Sequence, residues 1–153
     1  MDTNIKNHGK EMSHQDFIGK IFADIYFSED RATVKFISDS GERFTMGAVG
    51  PHPYTYIENI TGDIRKLIGT RILNTSVFVY QSPMEFGLFS RVITYGFTTA
   101  TGVVGIQWTG VVEAMSSPLV SILSEDSEDA PLHATIPVRP QSLMNNTDKE
   151  GKI

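Results

Sequence analysis

The side chains in this sequence best suited to chemistry are aromatic and cationic. His52, Tyr54 and Tyr56 cluster in one stretch, Arg65, Lys66 and Arg71 follow it, and Arg91, Tyr95 and Trp108 come later. Aromatic faces stack on bases, and the planar guanidinium of arginine grips phosphate or carboxylate with paired N–H groups. His52, Tyr54, Tyr56, Arg71, Arg91 and Trp108 are therefore the candidate binding residues, and the ligand they fit is small and nucleotide-like. A helix beginning near Gly62 would add free backbone N–H groups for an anion. The competing reading is structural: Tyr and Trp on strands usually serve as core or cross-strand partners, and Arg65 and Lys66 as a solvated face.

Catalytic and metal chemistry find less support. The absence of cysteine removes thiolate zinc sites, iron–sulfur ligation, disulfides and a cysteine nucleophile together. The four histidines, His8, His14, His52 and His133, show no i, i+4 pair of the kind that holds zinc on a helix. His133-Ala134-Thr135 is a single H-x-T triplet, whereas two-histidine phosphodiesterases need two. There is no G-x-S-x-G nucleophile turn, and no glycine-rich phosphate loop. The carboxylates Asp24, Glu58, Asp63, Glu85 and Glu113 pair at no informative spacing. No cofactor and no catalytic residue are expected. A net charge of −5 argues against a nucleic-acid partner. The apolar runs Val77–Tyr80 and Gly102–Ile106 are far short of the roughly 20 residues of a membrane helix. No membrane association is expected, and a cytoplasmic location is.

The elements that must position these groups read mainly as strands. At 153 residues the chain fits a single domain. Residues 1–16 are polar and read as a flexible leader, 17–124 as one globular body. Residues 125–153 hold six acidic and three basic residues, with Pro131, Pro137 and Pro140, and read as a disordered tail. Alternation predicts strands over Lys20–Phe27, Thr33–Ile37, Arg43–Val49, Tyr54–Ile60, Arg71–Tyr80, Arg91–Thr99, Val103–Thr109 and Leu119–Leu123. On the first of these, Ile21, Ala23 and Ile25 share one face, and Phe22 and Tyr26 the other. Ser82–Phe89 reads as a loop. Residues 62–68 read as one short helix, capped by Thr61, with Ile64, Leu67 and Ile68 on a single face and Gly69 ending it. The expected fold is mainly β, of α+β type, an antiparallel meander of seven or eight strands with that one helix. Val77–Tyr80 is apolar on both faces, which predicts cover on both sides.

Two blocks carry a resemblance. The first is the string YTYIENITGDIRKLIGTRIL over residues 54–73, and the second runs from Tyr95 through Gly102 to Val104-Gly105-Ile106-Gln107-Trp108-Thr109-Gly110. Their order and spacing resemble a family of small, mostly bacteriophage-encoded proteins with an I-E-D-I strand, a G-D-L helix start, an L-I-G close and a later I-x-W-x-G strand. The resemblance spans about residues 17–123. The sequence departs from it at Pro51-His52-Pro53-Tyr54, where family members carry a cysteine pair, and at Gln107, where they carry arginine. No activity travels with the family, so the resemblance implies origin alone: a phage or prophage product acting in a bacterial cytoplasm.

The expectation is thus a phage-type, non-enzymatic binding protein, of counter-defence kind, sequestering a host ligand such as a nucleotide immune signal, or binding a host defence protein. Homo-oligomer interfaces are expected to help form such pockets. The alternatives are an interaction or structural protein that docks a macromolecule through an exposed sheet edge or its acidic tail, and an unrecognised hydrolase.

Overall fold

The computed structural model describes residues 10–48, 55–114, 118–125 and 134–138. Among the described residues there are ten strands: β1 (Lys10–Glu11), β2 (Phe22–Ser28), β3 (Thr33–Ser38), β4 (Arg43–Ala48), β5 (Tyr56–Thr61), β6 (Asn74–Pro83), β7 (Phe89–Thr99), β8 (Gly102–Val112), β9 (Val120–Glu125) and β10 (Ala134–Pro137). They form two antiparallel sheets, one of six strands in the order β1-β9-β4-β3-β2-β10, the other of four in the order β5-β8-β7-β6. The mainly β class is therefore as expected, but the meander is split. β2-β3-β4 and β6-β7-β8 are consecutive hairpins in different sheets, while β5 pairs with β8 and β9 returns to β4.

One apolar core joins the two sheets, with Phe22, Phe36, Phe44 and Met46 contributed by the first and Phe97, Val104, Ile106 and Trp108 by the second. Phe17 sits at its centre, fully buried, with ring centroids 5.5 Å from Phe22, 5.3 Å from Phe44 and 5.8 Å from Phe97. It is carried by a 3-10 turn at His14–Phe17 whose first N–H groups are satisfied reciprocally: Gln15 N donates to Ser13 Oγ and Ser13 N to Asp16 Oδ2. Residues 10–16, expected as part of a flexible leader, are instead a strand and a capped turn that deliver an aromatic plug.

Two bulges correct the face assignments. β2 slips register between Phe22 and Asp24 against β3, so Phe22 and Ile25, three apart, both point into the core. A bulge inserts one residue and reverses the alternation beyond it. β5 slips likewise between Ile57 and Asn59, turning both Ile57 and Ile60 inward.

The expected helix at 62–68 is a single 3-10 turn, Ile64–Leu67. Gly62 and Gly69 both hold φ near +79°, leaving too few residues between them to nucleate an α-helix. Gly62 also passes so close to β8 that a Cβ there would lie 2.6 Å from Val103 O. Thr61 belongs to β5, and Asp63 caps the turn through Arg65 N. Arg65 Nε and Nη2 also bind the two Asp63 carboxylate oxygens at 2.8 and 2.7 Å. These bonds from Arg65 hold the Asp63 carboxyl below its ordinary value, outweighing its partial desolvation. A carboxyl depressed in the folded state stabilises the fold above its unfolded value of about 3.9, and that gain is lost as pH falls through the folded value. Asp63→Ala should thus cost about 1 kcal/mol at neutral pH. In urea titrations the gap between wild type and variant should narrow as pH falls below about 4. A gap independent of pH would contradict the assignment.

Part of the expected disordered tail is ordered. Glu125 completes β9, opposite Arg43 of β4, and β10 adds to the free side of β2, with Val138 N bonded to Ile25 O. No helix among the described residues is long and apolar enough to cross a membrane.

Candidate functional site

Of the six residues expected to bind a ligand, the four that the structure describes do not come together. His52 and Tyr54 lie outside the described residues. Trp108 is fully buried between the sheets, its Nε1 donating to Ala32 O at 2.9 Å and its ring edge-on to Tyr95 at 6.0 Å. It has no face left for a base to stack upon. Tyr95, on the same inner face, is shielded enough that burial pushes its phenol above the ordinary value. Arg91 is buried as well, with Nε on Gln81 Oε1 at 2.8 Å and Nη2 near Ala114 O at 3.4 Å, where it fastens the β6–β7 hairpin close to its turn. Tyr56 pairs with Thr109 and lies half-exposed on the outer face of the second sheet, since its neighbour Ile57 pairs with inward-facing Trp108.

Arg71 stands apart from all of these. Its backbone bridges Ile21 and its Nη1 donates to Gly19 O at 2.7 Å. Leu73 joins the sheet at Thr98, seven residues from Arg91 along β7, or roughly 24 Å. Arg71 lines an open depression of about 220 Å³ with Lys20, Asp39 and Glu42. Lys20 and Glu42 are already paired across it at 3.0 Å, and that bond holds the Glu42 carboxyl below its ordinary value. The depression is smaller than the roughly 300–1,000 Å³ typical of ligand pockets, and its charges neutralise one another. Among the described residues no group of three His, Asp or Glu side chains could hold a metal ion.

What the fold does present is the edge strand β6. It pairs with β7 over ten consecutive residues without a slip, and no described strand lies on its other side. Register with β7 assigns Thr75, Val77, Val79 and Gln81 to the inner face, opposite Phe97, Tyr95, Ile93 and Arg91, and Phe78 and Tyr80 to the outer face. Thr75 is covered by the first 3-10 turn, whose His14 Nδ1 lies 2.8 Å from its hydroxyl. Beyond Thr75 the strand overhangs the core. Phe78 is 73% exposed, Val79 57% and Tyr80 70%. This half of β6 is bare on its inner face, its outer face and its edge.

The hairpin ends in a second bare cluster. The loop expected at 82–89 shrinks to residues 84–88, closed by Met84 N to Leu88 O at 2.7 Å. Within it Phe86 adopts φ +63°, ψ +27°, a left-handed conformation that bulky side chains rarely take, and its ring is 93% exposed. Holding a phenylalanine there costs on the order of 1 kcal/mol in backbone strain, and gains nothing from burial within the chain.

The signal for this surface was present in the sequence as the two-faced apolar run Val77–Tyr80, which predicted cover on both sides. Among the described residues that cover is missing. No protein-family model matches the chain, and no curated protein and no solved structure matches it. The surface must be interpreted from its own chemistry.

Proposed function

We propose that this chain is a non-enzymatic binding protein that works by docking protein along the β6–β7 hairpin. The observation that carries the reading is the contrast between the two edges of the second sheet. β5 is short, bulged and carries Glu58, the ordinary devices that discourage strand pairing. β6 has ten residues, no bulge and no charged side chain, and over Val77–Tyr80 it is apolar on both faces. An edge left in that state is either an aggregation hazard or an interface. The bacteriophage origin implied by the sequence resemblance fits a small protein acting by contact and stoichiometry in a host bacterial cytoplasm, of counter-defence or structural kind.

Capture of a nucleotide-like ligand has weaker support, because Trp108 and Arg91 are committed inside the fold and Arg71 stands far from both. Native mass spectrometry of the protein purified from bacteria separates the two readings. Docking predicts no stoichiometric small molecule on denaturation, and protein contacts that cross-link to the hairpin and disappear in Val79→Lys. A nucleotide bound at one per chain and retained by Val79→Lys would overturn the proposal.

A further inference from the structure

We propose that the partner of β6 is a second copy of the same strand, joining two chains through one continuous antiparallel sheet of eight strands. The inference rests on the docking reading above and names its occupant.

The backbone supplies the first argument. Met84 N donates to Leu88 O, and in an antiparallel ladder bonded and non-bonded pairs alternate. Even-numbered residues of β6 therefore turn to β7, while Thr75, Val77, Val79 and Gln81 turn their N–H and C=O groups to the open edge. That row of donors and acceptors is what an added strand requires.

Self-complementarity supplies the second. A two-fold axis at Phe78 places Phe78 opposite the partner's Phe78 and Val77 opposite the partner's Val79, because the sequence Val77-Phe78-Val79 reads the same in both directions. Directly opposed residues of an antiparallel pair share a face, so the valines meet on the inner side and the aromatics on the outer. At a two-fold axis any charge meets its own copy, and β6 carries none.

The third argument is reach. In this register Pro83 falls opposite the partner's Leu73, so the tip residues Met84 and Phe86 arrive at the start of the partner's β6. Leu73 is exposed there, and exposed Ile18 lies in the adjoining backbone, since Gly19 N bonds Ile72 O. The bare tip thus meets a bare receiving patch at each end of the seam. The exposed side chains from Leu73 to Phe86 amount to on the order of 800 Å² per chain, taking about 150–250 Å² for a whole aromatic residue. A stable interface of standard size buries about 800 Å² per partner, so an edge seam that covers only part of this exposed surface stands at the weak end of stable dimers.

Sedimentation velocity of the purified full chain tests this. The expected result is a dimer with Kd at or below about 10 µM. Val79→Lys should weaken it on the order of 100-fold, since each ammonium group would be set against the partner's Val77, diagonal across the axis from its own copy. Val79 is exposed, so circular dichroism should be unchanged. Phe78→Cys gives a second readout free of background, because the chain has no native cysteine. It should oxidise to a disulfide-linked dimer, while Glu58→Cys on the opposite edge should not. A dimer that persists in Val79→Lys, or a Phe78→Cys chain that fails to cross-link, would overturn the proposal. So would a wild-type monomer at about 100 µM. If that monomer still lost host-protein contacts on Val79→Lys, the occupant alone would be wrong. If Val79→Lys changed nothing, the docking reading would fall with it.

Discussion

Glu125→Ala should lower the unfolding free energy by about 3–5 kcal/mol, the largest effect expected of any exposed-looking acidic residue in this chain. Sequence alone places Glu125 in an acidic, solvated run. In the structure its Oε1 lies 2.7 Å from Lys35 Nζ, and its Oε2 accepts from the Thr45 hydroxyl. Lys35 is 1% exposed, on the middle strand of β2-β3-β4, and among the described residues this carboxylate is its ion-pair partner. Removing Glu125 leaves an ammonium group without solvent and without a counter-charge. The loss of one partner of a buried pair costs far more than the pair contributes when intact.

The companion substitution decides whether burial of the charge is the cause. Lys35→Met in the Glu125→Ala background should recover most of the loss, because an apolar side chain of similar length needs no partner. In thermal unfolding, Glu125→Ala should fall by about 10 °C or more, with the double variant close to wild type. Should the single variant unfold within about 1 kcal/mol of wild type, the pair would be a surface contact of the usual small worth. The pair also ties β9 to the sheet at its last residue, which is where the sequence places the end of the folded body.

The strand positions were legible because alternation and turn residues are local. Asp39-Ser40-Gly41 between β3 and β4, and Ala100-Thr101 between β7 and β8 with Gly102 opening β8, mark hairpins that the structure contains. What alternation cannot convey is a bulge. Phe22 and Ile25 share a face only through a one-residue slip set by the partner strand, which no local pattern records. Phe17 was equally hidden. It is a lone aromatic after a polar stretch, and its value depends on reaching between two sheets distant in sequence. β10 lies among prolines and acidic residues and is held by pairing with β2, a long-range partner that composition does not announce.

The candidate site divides along the same line. Residue type identified groups able to stack or grip, but type does not say which side of a sheet a residue occupies. Arg91 and Trp108 have the chemistry of a nucleotide site and face inward, where the same chemistry bonds Gln81 and Ala32. In contrast, β6 was readable as a strand with two apolar faces, and the general rule that such strands are covered supplied the wrong environment. Among the described residues the cover is absent because the sheet extends beyond the core, a property of the whole topology. An edge strand obeys the rule only when its partner is present, which makes the exposed apolar run informative about association.

Trp108→Ala should destabilise the protein by about 3–5 kcal/mol. Trp108 is the only tryptophan, fully buried where the two sheets meet. Truncation opens a cavity between Tyr95 of β7 and Ala32 before β3, and leaves Ala32 O with only the longer bond from Ala48 N at 3.4 Å. Trp108→Phe keeps an aromatic ring in the core but removes the N–H and part of the ring volume, so it should cost less, about 1–3 kcal/mol. A ligand-binding tryptophan would behave differently on both counts. Its loss would cost affinity with little change in stability, and its emission would respond to solvent quenchers and to nucleotides. The buried indole should instead emit to the blue of free tryptophan and resist acrylamide, and a panel of nucleotides should leave it unchanged. Quenching by a nucleotide, with Trp108→Phe as stable as wild type, would return this residue to a binding surface. The core of the second sheet would then have to be rebuilt without it.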